Sequence, residues 1–245
     1  MRATVGCAIA LLSCFSGHAE AGRTHFGWLF GTELNPNRGV ELENWIVDIN
    51  QLDKPDRVKV HETHTWTGIV VAVSDHLQLA IDVQSAYADN HVDPPSTNLS
   101  MFGGDVRWRP QAADDTGPLK NLFRIGVQKL VQERAGIRGE VNIVSSYEVG
   151  RVFATLDLGV IDEHVPGTNV IECHSGAGVS VRVEHGLRLG GEVYGELTIS
   201  GPDPGWMIVG PTVGLTSGRF WGAANFGVGV LGIRDAGRIT LGVVL

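Results

Sequence analysis

Apolar and polar residues take turns along most of this chain. Leu77, Leu79, Ile81 and Val83 are interleaved with Gln78, Ala80, Asp82 and Gln84, a period of two that belongs to an extended strand with one apolar and one largely polar face. The same alternation sets Val152, Ala154, Leu156, Leu158 and Val160 against Arg151, Phe153, Thr155, Asp157 and Gly159. It recurs as Leu187, Leu189, Val193 and Leu197 against Arg188, Glu192, Tyr194 and Glu196, and finally as Ile239, Leu241 and Val243 between Arg238, Thr240 and Gly242. Helical spacing fits none of these segments as well.

With turns read from clusters of Gly, Pro, Asn and Asp, the pattern predicts strands near 39–50, 58–73, 76–88, 98–109, 121–133, 139–149, 151–162, 170–183, 187–200, 206–216, 219–231 and 237–245. This is about twelve, an even number as single-chain bacterial barrels have. The connections at 74–76, 149–151, 184–186 and 216–218 are tight. Those at 51–57, 88–97, 133–138, 162–169, 200–205 and 233–236 are longer and turn-rich. Short alternating with long is expected of a barrel with both termini in the periplasm. The segment 110–120, PQAADDTGPLK, is long where a short turn is expected.

Composition narrows the class. The chain is 43% hydrophobic with 33 glycines, too polar for a helical membrane protein and rich in glycine for a soluble domain. Beyond the N-terminus no apolar run is long enough to cross a bilayer as a helix, so only a closed barrel could span one. The expected fold is an all-β, antiparallel, up-and-down transmembrane β-barrel of about twelve strands. A soluble β-sandwich is the competing architecture; it requires the outward valines and leucines to meet a second sheet instead of lipid.

Met1-Arg2, a charge-free apolar stretch from Ala3 to Phe15 and the small-x-small Ala19-Glu20-Ala21 read as an export signal ending at residue 21. Leu11-Leu12-Ser13-Cys14 is a loose lipobox and gives an alternative processing site at Cys14. The expected divisions are a signal peptide over 1–21, an N-terminal periplasmic or lumenal segment over 22–38, and the barrel over 39–245. Processing after residue 21 leaves Cys173 as a lone thiol, which cannot staple the fold.

Charges on the polar faces must avoid lipid, where Arg or Lys at the bilayer midplane costs about 2–4 kcal/mol. The alternation therefore assigns to the lumen Asp82, Asp105, Arg107, Arg109, Arg124, Glu140, Glu148, Arg151, Asp157, Arg182, Arg188, Glu192, Glu196 and Arg219, with Glu184 and Arg238 beside them. Either these residues line a hydrated pore and set its selectivity, or they pair across a narrow barrel and fill it. With a net charge of −8, a general pull on anionic partners is not indicated. Tyr87, Trp108, Tyr147, Trp206 and Phe220 fall near strand ends, where an interfacial girdle would place them, whereas Trp66 sits mid-strand.

Phe26-Gly27-Trp28-Leu29-Phe30-Gly31-Thr32-Glu33-Leu34-Asn35-Pro36, followed by Gly39, Glu41, Glu43 and Trp45, resembles the opening of a group of proteobacterial outer-membrane proteins related to the barrel family named after the meta-pathway of phenol degradation. Gly104-Asp105-Val106-Arg107-Trp108-Arg109 is similar to a Gly-Asp strand with basic and aromatic residues common in such barrels. The sequence departs from the pattern at Asn37-Arg38-Gly39 and at Leu245, where an assembly-signal aromatic is usual. The resemblance implies an outer-membrane barrel that passes small, aromatic or hydrophobic compounds, with no catalytic residues to carry over.

Other chemistry is thinly supported. His61-Glu62-Thr63-His64 has three-residue spacing in a strand, which sends the two imidazoles to opposite faces and argues against a metal site. Ser145, Ser146 and Ser200 are the hydroxyls an outer-membrane lipid hydrolase would draw on, but no GxSxG elbow occurs. The reading is a non-enzymatic channel or transporter for small solutes, with a non-conducting structural barrel as the alternative. No cofactor, metal or nucleic acid is implied. The expected partners are outer-membrane lipid and, during biogenesis, the barrel assembly machinery.

Overall fold

The computed structural model describes residues 24–35, 39–51, 61–89, 94–112, 114–201 and 205–245. The export signal over 1–21 and the Asn37-Arg38 departure lie outside the described residues. Among those described, twelve strands follow one another: β1 Val40–Gln51, β2 His61–Ser74, β3 Leu77–Asp89, β4 Ser96–Trp108, β5 Leu119–Leu130, β6 Ile137–Val149, β7 Val152–Val165, β8 Thr168–Glu184, β9 Leu187–Ser200, β10 Trp206–Ser217, β11 Phe220–Leu231 and β12 Ile233–Val244. Each pairs antiparallel with its sequence neighbours. β1 closes on β12 in a register running from Glu41↔Val244 to Asn50↔Asp235, so the sheet has no edge. The sandwich alternative is thereby excluded.

The wall is built inside out, as the period of two requires. Ile69, Val71, Leu79, Val83, Ile125 and Val127 are exposed on the outer face, and Ile81 is 71% exposed, while Val70, Gln78, Ala80 and Gln84 on the same strands are buried toward the axis. An apolar exterior on a closed barrel is the surface a bilayer solvates, because every strand finds its backbone partners within the wall. Trp108, Phe123, Tyr147 and Phe220 stand on the outer face near the end at which β1 begins and β12 finishes, here termed the proximal end. Trp108 and Phe123 pack with ring centroids 5.4 Å apart. Trp206 does not belong to this girdle: it turns inward onto Trp28 and Tyr194, because bulge-free pairing with β9 keeps it on the lumenal face.

Two connections are shorter than the turn residues suggest. β7 runs on to Val165 and β8 begins at Thr168, leaving Pro166-Gly167 as the turn, and β11 and β12 are separated by Gly232 alone. Gly167 and Gly232 have φ of 87° and 73°, a backbone region that favours glycine and reverses the chain in minimal length. The alternation of short and long connections therefore fails at these two places. The long proximal segment 110–118 is present. Arg109 organises it by donating from Nε to the Gln111 carbonyl at 2.9 Å and from Nη2 to the Ala112 carbonyl.

Candidate functional site: the lumen and its inserted segment

Residues 24–35 form neither helix nor strand, yet Phe26, Trp28, Leu29, Thr32, Leu34 and Asn35 are all buried. They lie inside the barrel. A local turn shapes the segment: the Thr24 hydroxyl accepts the Phe26 amide at 3.2 Å and donates to the Leu29 carbonyl at 2.9 Å. The bend then presents Gly27 and Trp28 to mid-lumen, and Thr32 to Asn35 return toward the proximal end.

Side chains from strands far apart in the wall hold this bend. Glu192 on β9 accepts the Gly27 and Trp28 amides at 2.8 and 3.0 Å, and Asp157 on β7 accepts the Phe30 amide at 3.1 Å. Asn225 on β11 accepts the Trp28 indole N–H at 3.1 Å. From β12, Arg238 donates to the Trp28 carbonyl at 3.3 Å and lies 4.1 Å from the centroid of Trp45. Arg109 donates to the Thr32 carbonyl at 3.1 Å, Lys120 to Glu33 at 3.0 Å, and Thr32 pairs with Ser146. Phe26 and Leu29 fit because β8 carries Gly178 and Gly176 beneath them, where any Cβ would collide with the Phe26 ring or the Leu29 methyls.

Apolar contacts complete the core. Trp28 stacks on Tyr194 at 5.2 Å and meets Trp206 at 5.2 Å, and Phe30 packs against Trp45, which packs against Trp66. Trp66 is therefore mid-strand because it belongs to an internal aromatic track. Of the six tryptophans, Trp108 is the one that faces outward.

The charged residues assigned to the lumen mostly fall there and mostly pair. Arg107 forks onto both Glu43 oxygens at 2.9 and 3.0 Å and bonds Asp105 at 2.8 Å, the bidentate geometry a guanidinium favours with a carboxylate. Arg124 bridges Asp105 at 3.2 Å and Glu140 at 2.5 Å and covers the Phe30 ring at 4.3 Å. Asn142 donates to Asp157 at 3.1 Å and bonds His174, and Tyr194 donates to Glu196 at 3.1 Å. At the proximal rim Arg182 and Arg188 converge on Glu148. Asp82 accepts from Gln128 at 3.1 Å and has no ion-pair partner among the described residues.

Arg151, Arg219 and Glu184 are corrections. Arg151 and Arg219 occupy the β6–β7 and β10–β11 turns and are exposed, because the strands end one residue short of them, so they stand on the rim and not on the lumen wall. Glu184 is exposed at the end of β8, past a register shift after Arg182. Arg109 lies one residue beyond β4 and is fully buried against segments 32–33 and 111–112. The alternation did not reveal Glu43, His174 and Asn225 as partners in the network. Glu43 was legible as the inward polar residue of β1, whereas the roles of His174 and Asn225 depend on contacts with residues far away in sequence. The histidine motif separates as the strand period requires: His61 pairs with Asp48, while His64 meets Gln84 at 3.0 Å and Trp66. Ser145 donates to Asn121 at 2.7 Å.

Two cavities of about 20 Å³ each lie inside the barrel, one lined by β1 to β5 alone and the other between the inserted segment and residues of β1, β4, β5, β11 and β12, with room for about one water apiece.

No family model matches the sequence, and no curated protein is significantly similar to it. Solved structures are similar in fold. An outer-membrane channel from Pseudomonas putida F1 aligns with a TM-score of 0.63 at 8% identity, over 87% of this chain and 98% of that one. The β domain of the Bordetella autotransporter BrkA gives 0.56 at 12%, over 85% and 100%, and the NanC porin 0.53 at 7%, over 84% and 100%. At these identities the likeness is one of architecture. The fold is that of the bacterial outer-membrane β-barrels.

Proposed function

We propose that this barrel is a narrow outer-membrane channel for small solutes and that residues 24–35 are its gate. The observation that carries this reading is how the lumen is filled. A barrel meant only as a wall can close its axis with side chains from its own strands. Here a separate chain segment occupies the axis, held by side-chain contacts and not woven into the sheet, so its departure leaves the wall ladder intact. The inward-turned indoles suit solutes with a small apolar or aromatic body, in keeping with the resemblance of residues 26–45 to the phenol-degradation barrels. The apolar exterior is the surface that meets lipid.

The test is conductance in planar bilayers of the intact protein and of a variant lacking residues 24–35, each first checked for the mobility shift on boiling that a folded barrel gives. A small or intermittent unitary current in the intact protein, and a larger and steadier one in the shortened variant, is the expected result. Persistent closure of both across salts and voltages overturns the channel reading.

A further inference from the structure

We propose that the lumen holds a binding site for a primary ammonium group, bounded by Asp82, Trp45 and Trp66. The permeation half of this proposal rests on the channel reading; the binding half does not.

The site is the cavity lined by β1 to β5 alone, and its lining divides by chemistry. At its base Arg107 and Arg124 are occupied by Glu43, Asp105 and Glu140. Those three carboxylates share the two guanidiniums, which leaves Asp82 as the lining carboxylate with no ion pair; its hydrogen bond comes from the neutral Gln128 amide. On the β1–β2 wall Trp45 and Trp66 pack at 6.1 Å, two rungs of the ladder beyond Glu43 and Gly68 and on the same inward face. Gly68 and Ala80 form a floor too short to fill the space. Arg238 already covers one face of Trp45, so the ring open to a cation is Trp66, and a carboxylate without an ion pair near that indole is the arrangement that attracts an ammonium group electrostatically. The volume, about 20 Å³, admits a head the size of a water molecule and excludes a quaternary one. No group of three or more acidic, histidine or cysteine side chains that could hold a metal ion occurs among the described residues, so the recess suits an organic cation better than a divalent metal.

The approach to the site is charged to match. On the distal half of the lumen, β7 to β9 present Glu163, Glu172 and Glu196 within electrostatic reach of one another, with Arg138 as their shared counter-charge, 3.7 Å from Glu163. Three carboxylates against one guanidinium make a negative vestibule above the recess. Such a vestibule raises the local concentration of cations and repels anions.

Two measurements on the full-length protein test this. In the first, indole fluorescence of the detergent-folded barrel is titrated with methylammonium chloride, with tetramethylammonium chloride as the size control at equal ionic strength. A saturable change with methylammonium and none with tetramethylammonium is expected, with Asp82→Asn weakening the response at least tenfold. No saturable change in the wild-type barrel, or equal responses to both cations, overturns the site without recourse to any variant. In the second, reversal potentials under a KCl gradient should give a cation preference that moves toward unity in the Glu163→Gln/Glu172→Gln/Glu196→Gln variant. Binding without current refutes the channel and leaves the site standing; current without binding refutes the site and leaves the channel.

Discussion

Glu192 accepts the backbone amide of Trp28 at 3.0 Å across 164 positions of sequence, and its second oxygen takes the neighbouring Gly27 amide. A carboxylate that receives two adjacent amides is a clamp on the chain itself, indifferent to which side chains the segment carries. Hydrogen bonds to a charged group contribute roughly 1.5–3 kcal/mol each. Glu192→Ala is therefore expected to raise the open fraction of the channel by at least tenfold. Single-channel recording checks this; unchanged gating would mean that Glu192 does not hold the segment closed.

The glycines under Phe26 and Leu29 offer an independent handle. Gly178→Val places methyls where the Phe26 ring lies while leaving the wall hydrogen bonds untouched, so the segment should be expelled from a barrel that still folds. Limited proteolysis should then cut within residues 24–35 in the variant and spare them in the wild type. Equal protection in both would show that the segment adapts to the added volume.

His25 gives the closed state a pH dependence. Its ring packs edge-on against Phe153 at 4.7 Å. Burial, then the positive charges of Arg188, Arg182 and Lys120, depress its pKa to about 3, against roughly 6.5 when free. The docked segment thus favours neutral imidazole. Docking is at full strength above the free pKa and weakens as pH falls from there toward 3. At pH 4.5 the docked state should be disfavoured about a hundredfold relative to pH 7.5. Open probability measured at the two pH values should rise on acidification in the wild type and stay level in His25→Gln.

The Arg107 network bears on stability and not on gating. Arg107→Leu strands the Glu43 carboxylate in the wall and leaves Asp105 to Arg124 alone, and breaking a buried pair by removing one partner costs about 3–5 kcal/mol. Urea unfolding in detergent, followed by the gel mobility of the folded form, should show a lower midpoint. A midpoint equal to that of the wild type would indicate that lumen water solvates the stranded acid.

On the outer face, Ile81→Arg puts a guanidinium into hydrocarbon. The cost should be about 2–4 kcal/mol if the residue sits near the bilayer midplane, and under about 1 kcal/mol near the interface. Refolding equilibria in lipid vesicles separate the two.

The wall was readable from the chain because its physics is local. One residue faces lipid and the next does not, so Leu79, Ile81 and Val83 announce their side of the sheet without reference to anything distant. Connections were readable only where strand-ending residues coincide with strand ends. Around Pro166-Gly167 and Gly232 the turn-rich residues extend past the true turn, and pairing energy carries the strands through them. The lumen was half legible. Parity put Asp105, Arg124 and Glu192 inside, but the partners of Glu192 are amides of a segment with no period at all. Phe26, Trp28 and Leu29 carried a signal of another kind: three large apolar side chains that belong to no strand or helix must still be buried somewhere. The run of inward glycines on β8 left the space for them.

Positions 36–38 alone separate the inserted segment from Gly39 and the first strand. A stopper on so short a leash never diffuses away. Once displaced it stays at a local concentration on the order of millimolar, and return to its seat is a first-order event that no dilution, wash or loss of a partner can slow. On the proposed channel reading the shut pore is thus the resting condition, and anything that opens it must keep competing for the lumen throughout passage.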